Sequence, residues 1–179
     1  QLWFHAHGID ESNVHKPYRP KSRGIGNSQI LPYDYHLQAD IELVFREMAE
    51  QVAIRLRRKK KKTQLVSIHA SYSKTEGLPS IHCQQKIEPT QSTKVLSDTV
   101  LRLFRSKYEG GAIRQIGVFY GELVEESLQL FSLFDDPVAL EKEEKLQQTI
   151  DRIRDQFGFT SLQKGSSLLE NSRAIARSK

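Results

Sequence analysis

"TQLVSIHASYS", residues 63–73, and "SIHCQQKI", residues 80–87, decide the fold. In the first, Val66, Ile68, Ala70 and Tyr72 alternate with Ser67, His69, Ser71 and Ser73. In the second, Ile81, Cys83 and Ile87 alternate with His82, Gln84 and Lys86. A period of two is the signature of a strand with one buried face. Gly77 and Pro79 punctuate the gap between the runs. Upstream, Leu37, Ile41, Val44, Met48, Val52 and Leu56 recur every three or four residues, which predicts a long helix over 34–60 with one apolar face. Glu42, Arg46, Glu50 and Arg57 point away from it. Before that helix, "IGNSQIL" (25–31) reads as a short strand. Downstream, 93–108 reads as a second helix with Leu96, Val100, Leu103 and Phe104 on its inner face. "IRQIGVFYGEL" (113–123) reads as a fourth strand with Ile116, Val118 and Tyr120 on one side.

The order strand, helix, strand, strand, helix, strand is the split βαβ, ferredoxin-like arrangement. The expected class is α+β: a four-stranded sheet with two helices on one face, plus a C-terminal helical extension. The other face is left to solvent. With the two quoted runs taken as the middle strands, that open face reads Ser67, His69, Ser71, Ser73, His82, Gln84 and Lys86. It is polar, short in reach and free of carboxylates. Residues 138–156 predict a charged helix with a thin stripe of Leu140, Leu146, Ile150 and Ile153. A turn and a further helix are expected beyond it.

The 179 residues are 37% hydrophobic and 27% charged, which suits one core of ordinary size. The net charge is +5, which fits a polyanionic partner. The charge is uneven. Residues 1–74 hold 13 Lys/Arg against 7 Asp/Glu, and residues 123–179 hold 8 against 10. Cys83 is the only cysteine, so no disulfide framework exists and a cytoplasmic setting is expected. No apolar run is long enough to span a membrane, and no signal peptide is visible. The chain begins at Gln1 and its one methionine is Met48, so a piece of a longer protein is expected.

Catalytic and metal chemistry find little support. No Ser-His-Asp grouping, carboxylate pair or phosphate loop is present, and "GIG" (24–26) is too short to be one. His69 and His82 share the open face, but a metal wants three or four ligands and no third is found. Cys83 falls on the inner side of its strand as a small apolar residue. "RLRRKKKK" (55–62) is either a solvated helix end, where cations suit the dipole, or a phosphate-contact patch. Lys16, Arg19, Lys21 and Arg23 lie in the segment "KPYRPKSRG" (16–24), an extended linker leading into the first strand. A face of Ser, His, Gln and Lys suits phosphate hydrogen bonding without base reading.

"KSRGIGNSQIL", "REMAEQVAIRLRR", "SYSKT" and "IRQIGVFYGEL", in this order and spacing, resemble the little-finger domain of Y-family translesion DNA polymerases, in particular the ImpB/MucB/SamB group that includes the bacterial polymerase V catalytic subunits. "HGIDESNV" resembles the end of that family's thumb. The resemblance implies this division: 1–15 thumb end, 16–24 basic linker, 25–123 little finger, 124–137 clamp-docking segment, 138–179 helical tail. It implies a DNA-holding region of an error-prone polymerase of the SOS response to DNA damage. The Mg²⁺-dependent palm precedes the thumb, so no cofactor and no catalysis of its own are expected here. The DNA contacts it implies are Lys21, Ser22, Arg23, Asn27 and Gln29 on the first strand, Ser71, Ser73 and Lys74 on the second, and Arg114 on the fourth. Several relatives carry basic residues where this chain has Asn27, Gln115 and Phe119, which implies a weaker grip by the fourth strand. Accessory subunits or a recombinase filament are further partners the family implies. A structural, partner-binding domain without DNA binding is the alternative. A ferredoxin-like RNA-binding module would want aromatic residues on the open face, and the strands taken as central offer none.

"QLFSLFDD" (129–136) then acquires a reading. Bacterial translesion polymerases dock on the sliding clamp through a glutamine followed by a Leu-Phe pair. Gln129, Leu130, Leu133 and Phe134 match that chemistry, with one residue more than the short form between the glutamine and the pair. The competing reading is that these side chains pack on the chain's own C-terminal helix.

Overall fold

The computed structural model describes residues 2–9, 24–126 and 137–176. The linker cations Lys16, Arg19, Lys21 and Arg23, with Ser22, lie outside the described residues. So do Gln129, Leu130, Leu133 and Phe134.

After a short helix α1 (Leu2–Ala6), the chain runs β1 (Ile25–Tyr35), α2 (Gln38–Arg58), β2 (Lys61–Tyr72), β3 (Ile81–Thr90), α3 (Thr93–Arg105), β4 (Ile113–Glu125) and α4 (Pro137–Phe157). Two 3-10 turns, Phe159–Ser161 and Gly165–Leu168, follow. The four strands form one antiparallel sheet in the order β1-β4-β2-β3. Each helix therefore links two parallel strands with a third between them, which is the split βαβ arrangement expected. The middle strands are β2 and β4. The reading that placed β3 in the middle is corrected: β3 is an edge.

The core lies between the sheet and helices α2 and α3. Val66, Ile68 and Ala70 of β2 and Ile116, Val118 and Tyr120 of β4 face it, as their alternation predicts. Ile41, Val44, Phe45, Met48, Ala49, Val52 and Leu56 of α2 cover them, with Leu96, Val100, Leu103 and Phe104 of α3. Phe104 packs between Phe45, at 5.0 Å between ring centres, and Tyr108, at 4.7 Å. Each such side chain contributes about 1.5–3 kcal/mol by leaving water. Tyr120 is wholly buried and donates its hydroxyl proton to the Ala49 carbonyl (3.1 Å), and burial pushes its pKa far up. Ser92 caps α3 by accepting from the Val95 amide at 3.3 Å.

Several boundaries differ from expectation, and those between β1 and α2 move side chains. β1 continues past Pro32 to Tyr35, through a register irregularity between Ile30 and Tyr35. The helix consequently starts at Gln38, and Leu37 sits exposed at its N-cap rather than on its apolar face.

The outer face of α2 is not bare. Arg57 holds Asp151 of α4 through two bonds, 2.6 and 3.1 Å, and also reaches the Gln91 carbonyl and the Thr93 hydroxyl. Glu50 accepts from Arg154 at 2.8 Å and Lys164 at 2.7 Å. Arg154 also lies over the Phe159 ring, 4.7 Å from its centre. Glu47 accepts the Arg173 amide (2.8 Å), and Asp40 accepts from Asn171 (2.8 Å). The tail thus docks through polar contacts. Among the described residues beyond β4, Ala174 alone is a buried apolar one. Of the predicted apolar stripe of α4, Leu146 is exposed and Ile150 and Ile153 are half-buried, and Asp151 and Arg154 face inward beside them. No helix among the described residues is long and apolar enough to cross a membrane.

Candidate nucleic-acid interface

Strand parity builds the open face. Because the even positions of β2 and β4 enter the core, the odd positions point out. The register sets them in rows across the sheet. Ser28, Gly117, His69 and His82 form one row, and Gly26, Phe119, Ser67 and Gln84 the next. Ile30, Gln115 and Ser71 lie to one side of these, and Gly121, Leu65 and Lys86 to the other. These positions include no carboxylate. A shallow groove runs between β1 and β2, lined by Gly26, Ser28, Ser67, His69, Gly117 and Phe119.

The groups on this face are knitted together. The rings of His69 and His82 stack with centres 4.5 Å apart. The Ser71 hydroxyl bonds His69 Nε2 and the Ser80 hydroxyl, both at 2.9 Å. Burial, and then the neighbouring His82, push the His69 pKa below its ordinary value, so the imidazole is favoured neutral. Neutral imidazole and hydroxyls are short donors and acceptors fit for phosphate and sugar oxygens. Charge sits at the margins. Lys86 pairs with Glu122 at 3.1 Å, and Arg114 lies 3.7 Å from Asp34. Arg114 is the extra residue of a β4 irregularity, between Gln115, opposite Ser71, and Ile113, opposite Tyr72.

Of the sequence-predicted contacts, Ser71 is on the open face, and Lys74 is exposed just past the end of β2. Arg114 stands at the same end of the sheet, partly exposed. Asn27 and Gln29 do not join them. They are opposite Val118 and Ile116 and share the helix side with Ile25 and Leu31. Gln29 Oε1 is buried there without a hydrogen-bond partner among the described residues. Ser73 is also withdrawn: it is buried and donates to Asp34 Oδ2 at 2.7 Å.

Phe119 is the residue that the sequence reading missed as a site member. It stands 37% exposed on a central strand of the open face. The statement that the central strands present no outward aromatic is therefore corrected. The signal was present in the alternation of Ile116, Val118 and Tyr120, which turns Phe119 outward.

The tract 55–62 is mostly taken up within the fold. Arg55 donates to the Gly26 carbonyl at 3.0 Å, Arg57 binds Asp151, Arg58 pairs with Asp155 and Lys61 with Glu125. Lys59 and Lys60 stand exposed at the turn into β2. Cys83 is half-buried on the core side, as expected, with Sγ 3.6 Å from the Leu103 carbonyl. Among the described residues, no three His, Cys, Asp or Glu side chains gather into a metal site.

The model of the impB/mucB/samB family C-terminal domain matches residues 22–132. The putative UV-damage repair protein UvrX of Bacillus subtilis is 33% identical over 178 residues, spanning 99% of this chain and 42% of that protein. DNA polymerase IV 2 of Halalkalibacterium halodurans is 32% identical over 179 residues, spanning 99% of this chain and 43% of that protein. The chain thus spans less than half the length of these relatives. Among solved structures, a complex of beta-clamp processivity factor and little finger domain of PolIV matches 63% of this chain at 12% identity, with a TM-score of 0.46.

Proposed function

This chain belongs to the impB/mucB/samB family through its C-terminal domain, and from that premise we propose that it is the DNA-holding part of a translesion DNA polymerase. The open sheet face lies against primer-template DNA, and the segment around Gln129, Leu130, Leu133 and Phe134 tethers the enzyme to a sliding clamp. Polymerisation belongs to a catalytic domain elsewhere in the parent protein. The observation that carries the reading is the open face itself. A broad, carboxylate-free sheet surface of serine, histidine and glutamine suits phosphate and sugar oxygens, which carry no sequence information. Sequence-independent holding is what a polymerase needs. Lys74, Arg114 and Lys86 stand near the rim, and Lys16, Arg19, Lys21 and Arg23 precede β1 in the sequence. The setting is DNA damage repair in a bacterial cytoplasm, under the SOS response.

Fluorescence anisotropy with a labelled primer-template tests this. The expected result is binding whose logarithm falls linearly with the logarithm of salt, at about 0.9 per phosphate neutralised on duplex. Scrambling the DNA sequence should leave the affinity unchanged. Binding that ignores salt, or none at low salt, would favour the structural, partner-binding alternative.

A further inference from the structure

A single exposed phenylalanine is ordinary on a protein surface, but Phe119 is seated in a way that needs explaining. A Cβ on Gly24 would lie 2.1 Å from its Cζ, one on Gly26 2.9 Å from its Cδ2, and one on Gly121 3.0 Å from its Cε1. Three points of the ring therefore rest against three glycines, and the ring lies across the strands. None of these glycines has the positive φ that would call for glycine as a turn residue. Glycine within a strand weakens it, and its use there marks a close approach. Here the ring makes the nearest approach at all three, joined by the Tyr120 carbonyl at Gly24, the Val118 carbonyl at Gly26 and the Leu65 side chain at Gly121. The ring is flanked by these glycines and still keeps 37% of its surface exposed.

Beside the ring the surface dips. The atoms nearest a Cβ on Gly117 would be Ser28 Cβ at 3.4 Å, the Asn27 carbonyl at 3.4 Å and His69 Cβ at 3.8 Å, all ordinary contacts. Gly117, itself buried, puts no side chain between Ser28 and His69, and the groove passes there beside the ring. Ser67 and Gln84 share the row of Phe119 across the sheet.

We propose that Phe119 is a stacking platform for an unpaired base of single-stranded DNA, with Ser28, Ser67 and His69 placed around it to meet base edges and sugar oxygens. This rests on the reading that the open face holds DNA, and it adds a preference for a single strand. Every base offers a π-face, so stacking on one aromatic ring adds affinity without reading sequence. Duplex DNA keeps its bases stacked on one another and can offer the platform only its backbone. Among the described residues, the rows of the open face hold no carboxylate, and Glu122, next to Gly121, is paired with Lys86.

The test compares the whole chain with its Phe119→Leu and Phe119→Tyr variants on two probes at one salt concentration, a short oligothymidylate and a blunt mixed-sequence duplex. Leucine keeps apolar contact with the flanking glycines, and unchanged melting temperatures show that the fold is kept. The expected result is an oligothymidylate affinity about tenfold lower for Phe119→Leu and restored in Phe119→Tyr. Duplex affinity should stay within about twofold throughout, since phosphate contacts are untouched. If duplex binding is intact and leucine changes neither probe, or both alike, the stacking proposal is overturned and the DNA-holding reading stands. If the unaltered chain binds neither probe, the DNA-holding reading fails and the stacking proposal falls with it.

Discussion

Asp151→Ala should release α4 from the body of the protein. The carboxylate is mostly buried against Arg57, whose side chain is 9% exposed. Removing one partner of a buried pair leaves the other charge desolvated and costs about 3 kcal/mol or more. The Gln91 carbonyl and Thr93 hydroxyl still accept from Arg57 and soften the loss. Because the tail buries so little apolar surface, the loss should appear as local undocking rather than global unfolding. Amide hydrogen exchange should show α4 losing protection by about two orders of magnitude while β2 and β4 keep theirs. The double variant Arg57→Met with Asp151→Leu should recover most of it, since apolar residues of similar volume often replace a buried pair without loss. Unchanged α4 protection in Asp151→Ala would show that the pair does not hold the tail. Acid should act in the same direction. Burial raises the Glu50 carboxyl, but hydrogen bonds from Lys164 and Arg154 outweigh it and hold the group below its ordinary value of 4.5. Its contribution to docking is thus complete above that value and lost as pH falls through the lowered one.

Leu133→Ala combined with Phe134→Ala should abolish measurable binding to a bacterial sliding clamp. A glutamine followed by a Leu-Phe pair offers one polar anchor and two apolar ones. Few well-desolvated anchors carry most of such an interface, and losing two should cost about 3 kcal/mol or more. Calorimetry of the chain against the clamp checks this. If parent and variant bind alike, or neither binds and the variant melts earlier, the run belongs to the chain's own packing and the tethering proposal fails.

The parts of the fold legible in the sequence are those fixed by local period. Val66, Ile68 and Ala70, and likewise Ile116, Val118 and Tyr120, can face a core only if the even positions turn inward. The order of strands is less legible, because inserting β4 between β1 and β2 is a non-local pairing that no period encodes. The seat of the tail was also hidden. Glu50 and Arg57 read as solvated charges on the polar side of α2, and only their proximity to Arg154 and Asp151 shows that this side is covered. On the candidate site, Ser67, His69, Ser71, His82, Gln84 and Lys86 follow from alternation. Asn27 and Gln29 were assigned by resemblance rather than by parity, and Ile25 and Leu31, core residues two positions away on either side, place them on the helix side. Phe119 is the reverse case: parity turns it outward, and only the non-local placing of β4 beside β2 brings it to the middle of the face.

The central claim is that the open sheet face is where DNA lies. Its most direct test is amide chemical-shift mapping of the chain titrated with primer-template DNA. The account predicts perturbations at Gly26 and Ser28, at Ser67 to Ser71, at His82 to Lys86 and at Gln115 to Phe119, with the amides of α3 and α4 unmoved. Perturbations confined to α2, α3 and the tail, with the open face silent, would contradict it.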